Sequence, residues 1–314
     1  MDQHSPPGID AALFHLAQAV QSTGYAFTTP TPATHARVNA RPDSVWARDL
    51  RDVFGWSRPF HDGVVPPDIQ ALMRDAGVLV PATEGSRSAV RLSSLDGLLF
   101  LHSAFPTMAA DAVFFGPDTY RFARAILAYL KDGAPIRRAV DIGCGAGPGA
   151  ILVARAHPAG EVLAVDINQA ALRLTRVNAA LAGVRVAAVD SNLLSSVPGL
   201  FDLIVSNPPY LVDPNSRAYR HGGGPLGAGL SLAILDTALE RLAPGGTLLL
   251  YTGAAIVNGA DPFKDAAAAR LAGTGASWTY EELDPDVFGE ELERGVYTSA
   301  DRIAAVLLTI NNRE

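Results

Sequence analysis

Apolar positions fall on one helical face three times in the first third of the chain, and then the period shortens. Between Ile9 and Tyr25, the residues Ala12, Leu13, Leu16, Ala19 and Val20 recur at helical spacing, with Gly24 as a stop. Ser44 to Phe54 and Pro67 to Ala76 repeat the pattern, the second opening on Pro66-Pro67-Asp68 and closing at Gly77. Ala89 to Ser93 and Leu98 to His102 then alternate around Ser94-Leu95-Asp96-Gly97, whose Asp-Gly pair is a hairpin signal. Three short helices followed by a hairpin predict a small α+β, winged-helix-like unit over residues 1–112. The stretch from Phe105-Pro106 to Gly116-Pro117 reads as the joint to a second domain over residues 113–314.

That second domain opens with Asp118 as an N-cap and a stripe of Ala123, Ile126, Leu127 and Leu130. A regular alternation follows. Strands are expected at Arg138 to Ile142, Glu161 to Ile167, Arg185 to Val189, Phe201 to Ser206 and Gly246 to Thr252. Helices are expected at Pro148 to Ala156, Gln169 to Ala182 and Leu230 to Leu242. Short apolar strands separated by helices predict an α/β fold, a Rossmann-like parallel sheet covered on both faces. Trp278 to Leu283 and Arg302 to Ile310, joined by the acidic loop Asp284 to Tyr297, should pair antiparallel at the sheet's far edge.

Composition narrows the classes of function. With 314 residues, 48% hydrophobic and 18% charged, the chain has a globular composition, and its length leaves room for a sizeable core. A net charge of -7 argues against a protein that grips long runs of phosphate, which needs a basic face. Residues 1–112 hold eight Arg and no Lys against eleven Asp and Glu, so this unit reads as a substrate cap or protein-docking element. The opening Met1 to Gly8 has neither the basic start nor the apolar stretch of a secretory signal, and no apolar run reaches membrane-spanning length. The expected location is therefore the cytoplasm. Cys144 is the single cysteine, which excludes an internal disulfide and fits a reducing compartment. No spacing of His and carboxylates suggests a metal site.

Candidate chemistry lies at the carboxyl ends of the expected strands, where open parallel sheets bind ligands. After the first strand comes Asp141-Ile142-Gly143-Cys144-Gly145-Ala146-Gly147, a turn whose glycines let the backbone come close to a ligand. The dinucleotide spacing G-x-G-x-x-G fails from Gly143, because Pro148 stands where the last glycine is required. Asp166, followed by Ile167, closes the second strand and is placed to accept both hydroxyls of a ribose; the competing reading is a helix cap, which Asn168 alone could supply. Asp190 and Ser191 end the third strand, within reach of an adenine amino group.

Asn207-Pro208-Pro209-Tyr210 follows the fourth strand. A planar nitrogen whose lone pair is delocalised is a poor nucleophile, and its two N–H bonds must be held while its third direction faces the reacting carbon. The Asn207 side-chain oxygen and the Pro208 carbonyl are suited to be those acceptors. Pro208 and Pro209 stiffen the turn, and Tyr210 can stack on the flat group. Such positioning alone is able to supply up to about 7–11 kcal/mol of barrier lowering.

Taken with the glycine turn, this motif makes Phe115 to Thr252 resemble the class I S-adenosylmethionine-dependent methyltransferases that carry an Asn-Pro-Pro-Tyr motif. This stretch resembles especially the release-factor glutamine methyltransferases and their relatives in the small methyltransferase domain group. The resemblance implies a seven-stranded, mostly parallel sheet with an antiparallel last strand, and S-adenosyl-L-methionine as cofactor. It implies that Asp141, Gly143, Cys144, Gly145 and Gly147 line the methionine part of the cofactor, with Tyr120 of the Gly116-Pro117-Asp118-Thr119-Tyr120 segment nearby. Asp166 and Ile167 would meet the ribose, Asp190 and Ser191 the adenine, and Asn207, Pro208, Pro209 and Tyr210 the substrate nitrogen. Arg220 and His221, in the glycine-rich segment after the motif, are further candidates for substrate contact, with a solvated lid as the alternative.

The expected function is N-methylation of a planar amide or amine, with the glutamine of a protein such as a release factor as the favoured acceptor. N6-adenine methylation of RNA or DNA, small-molecule methylation and a non-catalytic cofactor-binding module are the alternatives. An intact Asn207 motif argues against the last, since a binder has no use for acceptors beyond the methyl group.

Overall fold

The computed structural model describes residues 9–131, 135–213, 217, 219–293 and 295–313, so the opening segment Met1 to Gly8 lies outside the described residues. Four helices come first: α1 (Ile9–Ser22), α2 (Pro32–Asn39), α3 (Leu50–Phe54) and α4 (Pro67–Asp75). Thr31 caps α2, its hydroxyl accepting from the Thr34 amide, and Asp49 caps α3 in the same way through Asp52. Two antiparallel hairpins follow, β1 (Leu79–Ala82) with β2 (Gly85–Ser88) and β3 (Val90–Leu95) with β4 (Leu98–Ser103). The second hairpin turns at Asp96-Gly97, both at positive φ, as the Asp-Gly signal implies. Helix α2 and the first hairpin escape the periodicity, being short and mostly polar.

The rest of the chain alternates: α5 (Pro117–Lys131), β5 (Arg138–Ile142), α6 (Pro148–Ala156), β6 (Glu161–Asp166), α7 (Gln169–Leu181), β7 (Ala187–Asp190), β8 (Phe201–Ser206), α8 (Gly229–Arg241), β9 (Leu242–Ile256), α9 (Pro262–Leu271), β10 (Ser277–Asp284) and β11 (Arg302–Asn311). Seven strands form one sheet in the order β10-β11-β9-β8-β5-β6-β7. All pair parallel except β11, which runs antiparallel to both β9 and β10. The last two strands do pair antiparallel, but β11 sits inside the sheet and β10 takes the edge. Ile303, Ala304, Ala305, Val306, Leu308 and Ile310 of β11 are all buried, as a strand covered on two faces requires.

Successive strand residues feed two cores, one on each face of the sheet. Val140, Ile142, Leu163, Val165 and Ile204 face α8 and α9, whereas Ala139, Ala164, Leu203 and Val205 face α5, α6 and α7. The second of these cores continues through Leu13, Leu16, Phe54, Met73, Leu92 and Phe100, so the N-terminal helices and hairpin pack on the same side. Asn178 on α7 fixes that contact. Its side chain is fully buried, accepts from the Leu101 amide at 2.8 Å, and donates to the carbonyls of Leu101 at 3.0 Å and Ala146 at 2.9 Å. One amide thus pairs with the free edge of β4 and with the glycine turn after β5. Among the described residues no helix is long and apolar enough to cross a membrane.

Candidate functional site

Chain direction across the sheet reverses between β5 and β8, and register aligns their carboxyl ends: Ile142 lies opposite Ser206, and Asp166 opposite Asp190. A cavity of about 230 Å³ opens there. The buried Ser206 hydroxyl donates to the Ile142 carbonyl at 2.6 Å, which ties the start of the Asn207 segment to the start of the glycine turn.

The turn itself is built from glycines at positive φ, Gly143 at 71° and Gly145 at 55°, and both line the cavity. A Cβ on Gly143 would meet nothing within 4 Å, and one on Gly145 only Val113 at 4.0 Å, so the space above the turn is open. Gly147, at φ 84°, does not line the cavity; it ends the turn against Thr175, which a Cβ would strike at 2.9 Å. Cys144 lines the floor, buried, with burial pushing its thiol pKa well up.

Asp141 is 1% exposed and lines the cavity. Its Oδ2 accepts from the Ala150 amide at 3.0 Å in the first turn of α6, while its Oδ1 is buried without a partner. Burial, reinforced by the Asp166 carboxylate, pushes its pKa up to about 7. Asp166 is better satisfied: Oδ2 accepts from the Gly145 amide at 3.0 Å and Oδ1 from the Asn168 amide at 2.9 Å. Asn168 also caps α7 through Ala170, so capping and the Asp166 contacts coexist. Ile167 lines the cavity with 63% of its surface exposed.

At the end of β7 the structure shifts the sequence reading by one residue or more. Asp190 turns outward, accepting from Gln169 Nε2 at 2.7 Å, and does not line the cavity; Ser191, Asn192 and Leu193 do. Only the last of these, at φ 52°, carries a backbone conformation unusual enough to mark the spot, and no sequence pattern announced it.

Asn207, Pro208, Pro209 and Tyr210 all line the opposite wall. Among the described residues no hydrogen bond engages the Asn207 side-chain amide. Tyr210 is held firmly: its hydroxyl donates to Asp118 Oδ2 at 2.8 Å, and its ring covers Gly253, where a Cβ would lie 2.3 Å from Cδ2. Phe288, from the acidic loop after β10, meets that ring at a centroid distance of 5.8 Å and also lines the cavity. The loop therefore contributes an aromatic side chain to the wall, a role that its carboxylates hide in the sequence.

Three sequence candidates serve the framework. Tyr120 does not line the cavity; its hydroxyl accepts from the Thr29 amide at 3.0 Å in the N-terminal unit. His221 is also outside it, with Nδ1 accepting from the Asp213 amide at 3.2 Å. Arg220 does line the cavity, but its guanidinium is paired with Glu291 and lies 3.7 Å from Asp213. Asp213 is the hub, gripped by Arg217 through both oxygens, and these bonds pull its pKa down to about 2.

Residues 108–256 match the model of the methyltransferase small domain family. Together with the observed sheet, the match makes the fold that of a Rossmann-like class I methyltransferase. In sequence the chain is 39% identical over 126 residues to the release factor glutamine methyltransferase of Deinococcus radiodurans, covering 36% of this chain and 44% of the relative. It is 34% identical over 157 residues to the 4-amino-L-phenylalanine/4-methylamino-L-phenylalanine methyltransferase of Streptomyces pristinaespiralis, covering 44% and 52%. It is 31% identical over 140 residues to the ribosomal RNA small subunit methyltransferase C of Serratia proteamaculans, covering 45% and 38%. The chain thus spans about half the length, or less, of these relatives.

Proposed function

We propose that the protein is an S-adenosyl-L-methionine-dependent N-methyltransferase whose acceptor is a planar amide or amine nitrogen, with a protein glutamine favoured. The observation that carries this reading is a single cavity with an unused acceptor on each wall: Asp141 Oδ1 at the glycine turn, and the free side-chain amide of Asn207 across from it. Bound S-adenosyl-L-methionine would supply an electrophilic methyl group on a cationic sulfur. The residues fit it: an orphaned carboxylate oxygen suits the amino group of the methionine part, and the open floor at Gly143 and Gly145 suits close approach of the ligand to the backbone.

The chain's own contribution is alignment. Asn207 Oδ1 and the Pro208 carbonyl would accept the two N–H bonds of the acceptor nitrogen. Two consecutive prolines fix the backbone that presents them, and the Tyr210 hydroxyl bond to Asp118 holds the segment against the wall. The apolar ring of Phe288 helps to exclude water beside it.

Glutamine of a protein is favoured because the relative from Deinococcus radiodurans is named for that acceptor and the net charge of -7 disfavours a long run of phosphate. The Streptomyces pristinaespiralis relative supports a second reading, a small aromatic amine. Incubation of the purified protein with methyl-labelled cofactor and a lysate lacking the protein separates them. Label that protease releases and nuclease does not supports a protein acceptor; label in acid-soluble small molecules supports the second reading; nuclease-sensitive label rejects both. Asn207→Ala should lower transfer about a hundredfold while leaving S-adenosylhomocysteine binding within a few-fold. Transfer at the original rate would remove Asn207 from the site.

A further inference from the structure

A second cavity, of about 20 Å³, lies where α2 meets β3, β4 and the segment that follows them. It is lined by Thr29, His35, Arg91 and His102, and it shares Pro32, Thr107 and Phe114 with the large cavity, so the two meet across those residues.

Arg91, on β3, is 5% exposed. Its Nε donates to the Gly55 carbonyl at 2.9 Å and its guanidinium carbon stands 5.5 Å from the Phe27 ring centroid, but Nη2 is buried with no partner. Among the described residues no carboxylate pairs with it. Burial lowers its pKa to about 10, which leaves it charged at neutral pH.

His35, 1% exposed, adds a second idle donor. Asn39 Oδ1 accepts from Arg58 Nε at 3.0 Å and Asn39 Nδ2 donates to the Trp56 carbonyl at 2.9 Å, which fixes the orientation of that amide. Nδ2 also lies 3.4 Å from His35 Nδ1, and taking that amide as the donor to Nδ1 assigns the proton of the neutral ring to Nε2. Nε2 is buried without a partner. Burial and the neighbouring Arg91 and Arg58 bring the ring's pKa down to about 4, so it is neutral at pH 7.

Thr29, His102 and Ser103, also in the lining, are engaged, Ser103 through the Val113 amide at 2.8 Å. His102 Nδ1 donates to the Ser103 carbonyl at 3.1 Å, and its Nε2 accepts from the Ser93 hydroxyl at 2.7 Å, which in turn meets the Thr29 hydroxyl. What remains among the side chains that line this cavity is one positive charge, two unused donors and the Thr107 hydroxyl, which can donate as well as accept. A buried cation without a counter-charge is costly, and a cationic site with idle donors selects an oxyanion. Its volume is on the scale of one or two water-sized groups, which suits the two oxygens of a carboxylate and is too small for a tetrahedral phosphate.

We propose that Arg91 and His35 form a carboxylate-binding subsite entered from the large cavity past Pro32, Thr107 and Phe114. Binding there does not depend on methyl transfer, so the subsite and the proposed activity stand or fall separately.

Formate titrated into the full chain at constant ionic strength is the test, followed through Trp56, whose ring lies 5.4 Å from that of His35. A ligand of three non-hydrogen atoms should bind saturably and no tighter than about 1 mM. Inorganic phosphate should give no such response. Arg91→Met should weaken formate roughly 10- to 100-fold, and Arg91→Lys, which keeps the charge and loses the planar fork, should weaken it less. If Arg91→Met does not fold, His35→Phe, which keeps a flat ring and removes the donor, serves in its place. No saturable change, an equal response to phosphate, or unchanged affinity in the folded variant would overturn the subsite.

Transfer assays with lysate then identify the carboxylate's source. Formate that raises the acceptor level needed for half-maximal transfer, with the plateau unchanged, assigns the carboxylate to the acceptor. Formate that binds and leaves transfer untouched assigns it to a free anion. Formate binding in a protein that transfers no methyl group would keep the subsite and reject the proposed function.

Discussion

Asp118 and Asp141 are two buried aspartates that line one cavity and differ in how much of each carboxylate is already used. Asp118, in the first turn of α5, accepts from the Tyr210 hydroxyl at 2.8 Å, the Tyr251 hydroxyl at 2.6 Å and Arg121 Nη1 at 3.2 Å. Arg121 reaches on to Asp284 at 2.6 Å. Asp141 has one backbone partner and one idle oxygen. Burial raises the pKa of both, but on the Asp118 side the hydrogen bonds of two tyrosines and the charge of an arginine oppose it. The difference separates scaffolding from reception. A filled carboxylate braces the Asn207 segment and the start of the acidic loop, and an open one leaves a place that a ligand's cationic group completes.

If that division holds, the largest effect should come from emptying the filled site. Asp118→Ala strands the Tyr210 and Tyr251 hydroxyls and the inner face of Arg121 in the interior. Removing one partner from such a buried charged network costs about 3–5 kcal/mol. Denaturant unfolding should show this as a lower midpoint at unchanged slope, and the same destabilisation should appear in the absence of any ligand. A variant as stable as the parent would mean that Asp118 is no brace.

Asp141 should behave in the opposite sense. Its folded pKa, about 7, lies above the ordinary carboxylate value near 3.8, so the folded chain holds a proton that the unfolded chain has released. Its contribution therefore makes stability fall as pH rises from about 4 to about 7, and Asp141→Asn should remove that fall. Ligand binding carries the reverse dependence. A cationic amino group beside Oδ1 favours the ionised form, so S-adenosylhomocysteine should bind about tenfold more weakly for each pH unit below 7, near a hundredfold at pH 5. Calorimetric titration at several pH values measures the slope, and a flat profile in the parent protein would show that the idle oxygen is not a ligand contact.

The sequence discloses these two aspartates unequally, and the same asymmetry runs through the molecule. The elements from β5 to β8, the glycine turn and the Asn207 segment are local patterns, each encoded within about a dozen consecutive residues, and the sheet orders the strands as the alternation implies. Asp118 was legible only as a helix cap, because its partners are 92 and 133 residues away. Phe288 lies in an acidic loop, and Asn192 and Leu193 follow Asp190, whose carboxylate accepts from Gln169 outside the cavity. Arg220 and His221 read from sequence either as substrate contacts or as a solvated lid; the structure shows Arg220 in ion pairs with Asp213 and Glu291, and His221 accepting from the Asp213 backbone amide. The position of β11 inside the sheet depends on a partner choice between β9 and β10 that no periodicity records. Long-range pairing decides whether a polar side chain is spent or available, and that is the property on which the site depends.

The same logic sets the smallest effect, at Asp213. This carboxylate is filled like that of Asp118, but its partners Arg217 and Arg220 are each about one-fifth exposed, so solvent screens the bonds. Its folded pKa, about 2, lies below the ordinary value. The stability it supplies is therefore complete above about pH 4 and lost as pH falls towards 2. Asp213→Asn should cost about 1 kcal/mol at pH 7 and nothing measurable at pH 2. Because Arg220 lines the cavity, releasing it from this hub should also change acceptor affinity more than the transfer plateau. If the variant instead lowered the plateau at unchanged affinity, the segment around Arg220 would belong with the reacting groups, and a filled carboxylate would no longer mark scaffolding.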